Sequence, residues 1–261
     1  MKRLRYNMLK GYYFIELDSL IRGGTARPGA VLFLEKLQEM QMPYLIITDQ
    51  SARTNEQIAA AMMQAGFSHV TYDQIYTGVM AAVDWMIMYS PAKNRAAYIG
   101  SPAIKAALEK GGYIIDNRDP ELLFVGLEKN MTYREYSEAV YHIICGADLI
   151  SVDNRLRVKS DGIIQIGNGA VVKMLEAASG ETAVDFGRGS EKMMRMALRY
   201  MQVMAHQVIM VGSDFEKDIV PALLLNMTTV YVTGGKDILG LGMSDQVHPD
   251  YIVEDLSGLA K

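Results

Sequence analysis

Short apolar runs alternate with segments of helical spacing along this chain, and that alternation restricts the fold more than any other feature. YYFIEL (12–17) and YLIIT (44–48) are runs of strand length, rich in aromatic and β-branched residues. Between them, PGAVLFLEKLQEMQ (28–41) places apolar residues at 31, 34 and 37, and Pro28 suits a first helical turn. Thr54 opens T-N-E-Q, a capping-box pattern that starts a helix over 55–65, and Gly66 closes it. The order β-α-β-α predicts a parallel sheet with helical crossovers.

The alternation continues. A helix is expected over 79–90, a strand at AAYIG (96–100), and a helix from Ser101-Pro102 to Gly111-Gly112. YIID, LLFVGL, a helix over 132–146, LISVD and a helix near 169–179 follow. These residues carry enough α/β pattern for a module of their own. GRGSEKMMRMALRYM then reads as a helix, HQVIMVG (206–212) as a strand, FEKDIVPALLLN as a helix and TTVYVTGG (228–235) as a strand. The expected organisation is an α/β core, residues 1–78 and 183–261, interrupted by an α/β insert at 79–182.

Composition narrows the partners. The 261 residues carry a net charge of −4 with acidic and basic groups interspersed, which gives neither nucleic acid nor an anionic membrane a basic face. No run of about 18 apolar residues suggests a membrane span. The basic start MKRLRYNMLKGYYF meets Glu16 too soon to read as a signal peptide. A single cysteine, Cys145, forms no internal disulfide and fits a reducing cytoplasm; near the end of an apolar helix, it is expected to be buried. The histidines at 69, 142, 206 and 248 share no metal-ligand spacing, and Trp85 reads as packing.

In an open parallel sheet, ligands bind beyond the carboxyl ends of the strands, where strand order reverses. Three expected strands end in polar residues: Glu16-Leu17-Asp18, Thr48-Asp49-Gln50-Ser51, and Gly212-Ser213-Asp214 with Asp218 a turn later. Acidic groups beside the N–H donors of helix starts describe a pocket for Mg²⁺-assisted phosphoryl transfer.

The order of these pieces resembles the haloacid dehalogenase (HAD) superfamily, and within it the NagD and p-nitrophenylphosphatase-like phosphatases. The family's D-x-D-G-[TV] is matched by Glu16-Leu17-Asp18-Ser19-Leu20, and its T-N-x-S-x-x-T by Thr48-Asp49-Gln50-Ser51-Ala52-Arg53-Thr54. Its G-K-P corresponds to Gly187-Arg188-Gly189, and its V-G-D-x-x-x-x-D-I to VGSDFEKDI (211–219). YTGVMAAVDWM (76–86) and IGSPAIKAALEKGGY (99–113) look like the entry to its cap. The resemblance implies a Rossmann-type parallel core with a large inserted α/β cap of the C2 type. It implies a nucleophile at Glu16, a general acid/base at Asp18, and phosphoryl binding by Thr48, Asp49 and Arg188. It also implies Mg²⁺ held by Glu16, Asp18 and Asp218, a small phosphorylated metabolite as partner, and a cap offering a surface for homo-oligomers.

The chain departs from the pattern at several chemical roles. Glu16 stands where the family has a nucleophilic Asp, one methylene shorter, and misplacement of about 1 Å can cost about a hundredfold. Ser19-Leu20 replaces Gly-Thr, and Arg188 replaces Lys with a different shape and reach. Ser213 stands at a metal-binding Asp, and Asp153-Asn154-Arg155 where many relatives have T-N-x-D. Two readings follow: a degenerate phosphatase that binds a phosphorylated ligand with weak or lost turnover, or a working Mg²⁺-dependent phosphomonoesterase with an altered site. Arg22 and Arg27, in the loop after Asp18, are further candidates to touch a phosphate.

Overall fold

The computed structural model of the chain describes residues 9–160, 162–236 and 247–259, so the basic stretch 1–8 lies outside it. In chain order the elements are β1 (Tyr12–Glu16), α1 (Leu17–Leu20), β2 (Ile21–Arg22), β3 (Thr25–Ala26), α2 (Ala30–Glu39), β4 (Tyr44–Thr48), α3 (Asn55–Gln64) and β5 (Ile75–Thr77). Next come α4 (Gly78–Tyr89), β6 (Arg95–Ile99), α5 (Pro102–Lys110), β7 (Ile114–Ile115), β8 (Leu122–Val125), α6 (Tyr133–Ile144) and β9 (Asp148–Ser151). The rest are β10 (Arg157–Ser160), β11 (Ile163–Ile166), α7 (Asn168–Ser179), β12 (Val184–Asp185), α8 (Glu191–Met201), β13 (Val208–Gly212), α9 (Val220–Leu224), β14 (Thr228–Val232) and β15 (Tyr251–Val253).

The described residues divide into two compact units. The first comprises residues up to Thr48, Asn55–Tyr76 and residues from Ala197; the second comprises Asp49–Thr54 and Thr77–Met196. The second thereby takes in 49–54 and 183–196, because β12 extends the sheet of that unit and Ser51 hydrogen-bonds within it.

The first unit is built on a six-stranded sheet of order β15-β14-β13-β1-β4-β5. β1 pairs in parallel with β13 on one side and β4 on the other. β4 and β13 are buried along their whole length, which is why they read as unbroken apolar runs without alternation. Phe33, Leu34 and Leu37 of α2 and Ile58 and Met62 of α3 join Ile15, Ile46 and Val211 in one core. Each such side chain, fully buried, contributes about 1.5–3 kcal/mol relative to exposure. Strand order reverses at β1, and this sets the place of the candidate site.

The second unit has a five-stranded sheet, β12-β9-β8-β6-β7, with parallel pairings throughout. Ala139 and Ile143 of α6 and Val172 and Leu175 of α7 pack on Ile99, Leu123, Val125 and Leu149 of its strands. Local chemistry starts its helices. Ser101 accepts the Ala103 N–H ahead of Pro102, and Thr132 and Glu135 form a reciprocal capping box.

Several expectations change. The helix expected over 215–226 is a π-helical turn, Phe215–Ile219, followed by the short α9. The Asp214 carbonyl accepts N–H groups from both Asp218 and Ile219, and Pro221 has no N–H to continue an ordinary ladder upstream. The helix expected from Gly187 begins at Glu191, with 187–190 forming a turn before it. Cys145 is exposed, since α6 buries only Ala139 and Ile143 and Cys145 follows on its open side. A β10–β11 hairpin was not anticipated, and it leaves Ile163, Ile164 and Ile166 exposed. Among the described residues no helix is long and apolar enough to cross a membrane.

Candidate active site

In the first unit the parallel register sets Glu16 beside Ile47, and Ile15 beside Val211. The carboxyl ends of β1, β4 and β13 therefore lie side by side, and Glu16, Thr48 and Gly212 are the last residues of these three strands. The local crevice at the reversal of strand order is formed by these ends. Glu16 and Thr48 are both buried, and Asp18 is exposed.

Glu16 ends its strand as a helix cap. Its Oε2 accepts the Asp18 N–H at 2.7 Å and so opens the single turn of α1. The next loop is tied to this turn: Arg27 donates through Nη1 to the Asp18 carbonyl at 3.0 Å, and its N–H to the Leu20 carbonyl at 2.8 Å. Arg22 is exposed on the two-residue strand β2, which pairs with β3. The Ser19 hydroxyl is buried without a hydrogen-bond partner and lines a cavity of about 180 Å³ with Arg27, Pro28, Glu254 and Asp255.

Asp218 is fully buried. Its Oδ2 accepts the N–H groups of Ser213 and Asp214, each at 2.8 Å, and so clamps the turn that leaves β13. A side chain at Gly212 would collide with the Asp218 Cβ, which explains glycine at the end of this strand. Asp214 caps the π-helical turn by accepting the Lys217 N–H at 3.0 Å. Burial, with Asp214 and Asp218 nearby, raises the Tyr231 hydroxyl above its ordinary range.

These donors form a poor magnesium set. Mg²⁺ requires several oxygens in near-octahedral array. One oxygen of Glu16 and one of Asp218 already serve backbone amides, and position 213 offers a serine. Among the described residues, no three His, Cys, Asp or Glu side chains gather in a way that could hold a metal ion. The residues present do not fit the ion.

In the second unit the remaining candidates, Asp49 and Arg188, meet a charged cluster. Asp49 is 5% exposed and Asp153 is fully buried. Asp153 accepts the N–H of Arg155 at 3.0 Å and its Nε at 2.9 Å through Oδ1, while Oδ2 pairs with Nη2. Asp49 Oδ2 lies 3.9 Å from Arg155 Nε and accepts the Arg188 N–H at 3.4 Å. Burial first, and repulsion from Asp153 second, push the Asp49 carboxyl up to about 6 against the opposing pull of Arg155 and Arg188.

Asn154 donates from Nδ2 to the Arg188 carbonyl and to Asp185 Oδ2, both at 3.0 Å. Asn168, fully buried, donates to the carbonyls of Val125 and Asp153. Asp153, Asn154 and Arg155 entered the sequence reading only as a departure, and Asn168 not at all. The signal for them was a polar cluster, Asp153-Asn154-Arg155, directly after an apolar strand. Trp85 packs against Tyr89 and Phe186 under Lys192, as a packing residue would.

Comparison with known proteins agrees with this architecture. Two family models match: haloacid dehalogenase-like hydrolase over residues 18–114, and HAD-hydrolase-like over 186–259. The 5′-nucleotidase YutF of Bacillus subtilis (strain 168) is 25% identical over 247 residues, covering 94% of this chain and 95% of its own. The solved structure of NagD from E. coli K-12 superposes with a TM-score of 0.87 at 24% identity, covering 96% of this chain and 98% of its own. A glycerol phosphate phosphatase from Mycobacterium tuberculosis, solved in complex with magnesium, gives 0.85 at 20% identity, covering 97% and 77%. By its strand order, its motif order and the two family models, the chain belongs to the haloacid dehalogenase superfamily, and its fold is that of NagD and the p-nitrophenylphosphatases.

Proposed function

We propose that the protein binds a small phosphorylated metabolite and hydrolyses it weakly or not at all. The observation that carries this reading is the Glu16 carboxylate, whose Oε2 is held by the Asp18 N–H at 2.7 Å. In-line attack on phosphorus needs a carboxylate oxygen at about 3 Å on a fixed trajectory. A longer side chain with one oxygen engaged as a helix cap serves that geometry poorly, and donation from an amide lowers the charge on that oxygen. Asp18 keeps the position of the general acid/base, and Thr48 keeps a buried hydroxyl suited to a phosphoryl oxygen. Arg188, for Lys, would supply a planar cation able to take two oxygens of a phosphoryl group.

Magnesium is not part of this reading, because the oxygens at 16, 18, 213 and 218 do not fit it, and no step is derived through the ion. The substrate class rests on relatives such as the nucleotidase and the glycerol phosphate phosphatase, whose names describe phosphomonoester substrates. The lone cysteine supports a reducing, cytoplasmic setting. A second reading, an active Mg²⁺-dependent phosphomonoesterase, is favoured by Glu16 and Thr48 standing buried at the ends of adjacent strands.

Hydrolysis of p-nitrophenyl phosphate and a panel of sugar phosphates, with Mg²⁺ present, separates the two. The expected result is little or no turnover by the wild type, with turnover rising in Glu16→Asp. Robust wild-type turnover abolished by Glu16→Ala would establish the second reading instead.

A further inference from the structure

The second unit contains a charged network that none of the assigned roles requires. Its components grip one residue from both sides. The Arg188 N–H points to Asp49 Oδ2, and the Arg188 carbonyl accepts from Asn154 Nδ2. The flanking turn is tied as well: Asp185 accepts the Gly187 N–H through Oδ1 at 3.0 Å, and its carbonyl accepts the Ser190 hydroxyl at 2.6 Å. Gly187 can have no side chain, since a Cβ there would overlap Asn154. The backbone at residue 188 is thus one of the most constrained points of the unit.

The buried charges make this arrangement costly unless it is used. Asp49 and Asp153 are both nearly inaccessible, and two buried carboxylates repel each other. Arg155 lies against both, with Asp153 as its main partner. The network thus places a carboxylate against the Arg188 N–H.

We propose that Asp49 and Asn154 are positioning residues for Arg188, and that the Arg155–Asp153 pair holds Asp49 in register for that purpose. This rests on the reading of the protein as a binder of phosphorylated ligands, with Arg188 as the cation that meets the phosphoryl group. The grip is on the backbone, so it directs the start of the side chain whatever its terminal group. Asn154 is neutral, and Asp49, above about pH 6, carries a charge of sign opposite to Arg188; measured at pH 8, the two therefore test position and charge separately.

The test uses the full chain, with sulfate as a dianion whose charge stays constant from pH 5 to 8. Sulfate affinity is measured by calorimetry, and exchange of the Arg188 amide by NMR. Asn154→Ala is expected to weaken sulfate by about tenfold and to speed exchange of the Arg188 amide. Asp49→Ala is expected to weaken sulfate too, although removal of a neighbouring negative charge would by itself tighten an anion. In an Arg188→Gln background, neither substitution should weaken sulfate further. Tighter sulfate binding in Asp49→Ala, or wild-type affinity and exchange in Asn154→Ala, would overturn the proposal. If Asp49→Ala fails to fold, Asn154→Ala alone decides between these outcomes. Wild-type protein that binds no sulfate, with Arg188 exchange still accelerated in Asn154→Ala, would sink the phospho-ligand reading and leave the anchoring of residue 188 standing.

Discussion

The strand-end carboxylates of the first unit and the charged cluster of the second solve the problem of a buried acid in different ways. Glu16 and Asp218 each accept backbone N–H groups in the turn that follows a strand, β1 for Glu16 and β13 for Asp218. Asp49 and Asp153 lie far apart in sequence, repel each other and are balanced by arginine side chains. In the first arrangement those amides come from residues two to five positions away along the chain. The second brings together residues 49, 153–155 and 188 from three chain segments, so the loss of one member changes the electrostatics of the rest.

The most severe break should come from Asp153→Ala, which removes the carboxylate that meets the Arg155 N–H, Nε and Nη2. A loss of about 3–5 kcal/mol is expected by urea unfolding, towards the lower end because Arg155 is partly exposed. Asp218→Ala should cost about 2–3 kcal/mol by the same measurement, since two amides lose their acceptor. Asp218→Asn should cost less, because it keeps an acceptor oxygen. Equal losses in the two Asp218 variants would mean that charge, and not acceptance, matters in the first unit, and the contrast between the units would fail.

Acid titration sharpens the same contrast. The folded Asp49 carboxyl keeps its proton up to about pH 6, while the unfolded one releases it near its ordinary value of about 4. Between those values the folded state binds more protons, so this group's contribution to stability falls as pH rises through the interval. Asp49→Asn should remove that part of the pH dependence. A wild-type and a variant profile of the same slope between pH 4 and 6 would refute it. The smallest effect belongs to Glu16: loss of its cap in Glu16→Ala should cost about 1 kcal/mol, and Glu16→Gln, which keeps the acceptor, within about 0.5 kcal/mol.

Much of the fold was readable from local patterns. YLIIT gives a strand with the observed limits, because a strand buried on both faces has no polar position to blur its ends. The helix after Ser101-Pro102 was readable because cap and proline specify its start without tertiary help. The β10–β11 hairpin carried a signal in the Asp-Gly dipeptide of RVKSDGIIQI, a pair that favours hairpin connections. The π-helical turn was harder to read: apolar spacing in FEKDIVPALLLN is that of an α-helix, with Pro221 the one local sign of a break, and the Asp218 clamp on Ser213 and Asp214 shows only in the folded chain.

By itself the sequence determined the parallel α/β alternation, the polar strand ends and the family, because these depend on residue type, spacing and order along the chain. Tertiary structure decided what those polar groups do. Whether the Glu16 oxygen caps a turn or faces a ligand, whether Asp218 holds amides or a metal, and which arginine balances Asp153 all depend on directions of side chains brought together by different strands. Spacing along a chain carries no information about those directions, and electrostatic energy at a buried site is set almost entirely by them.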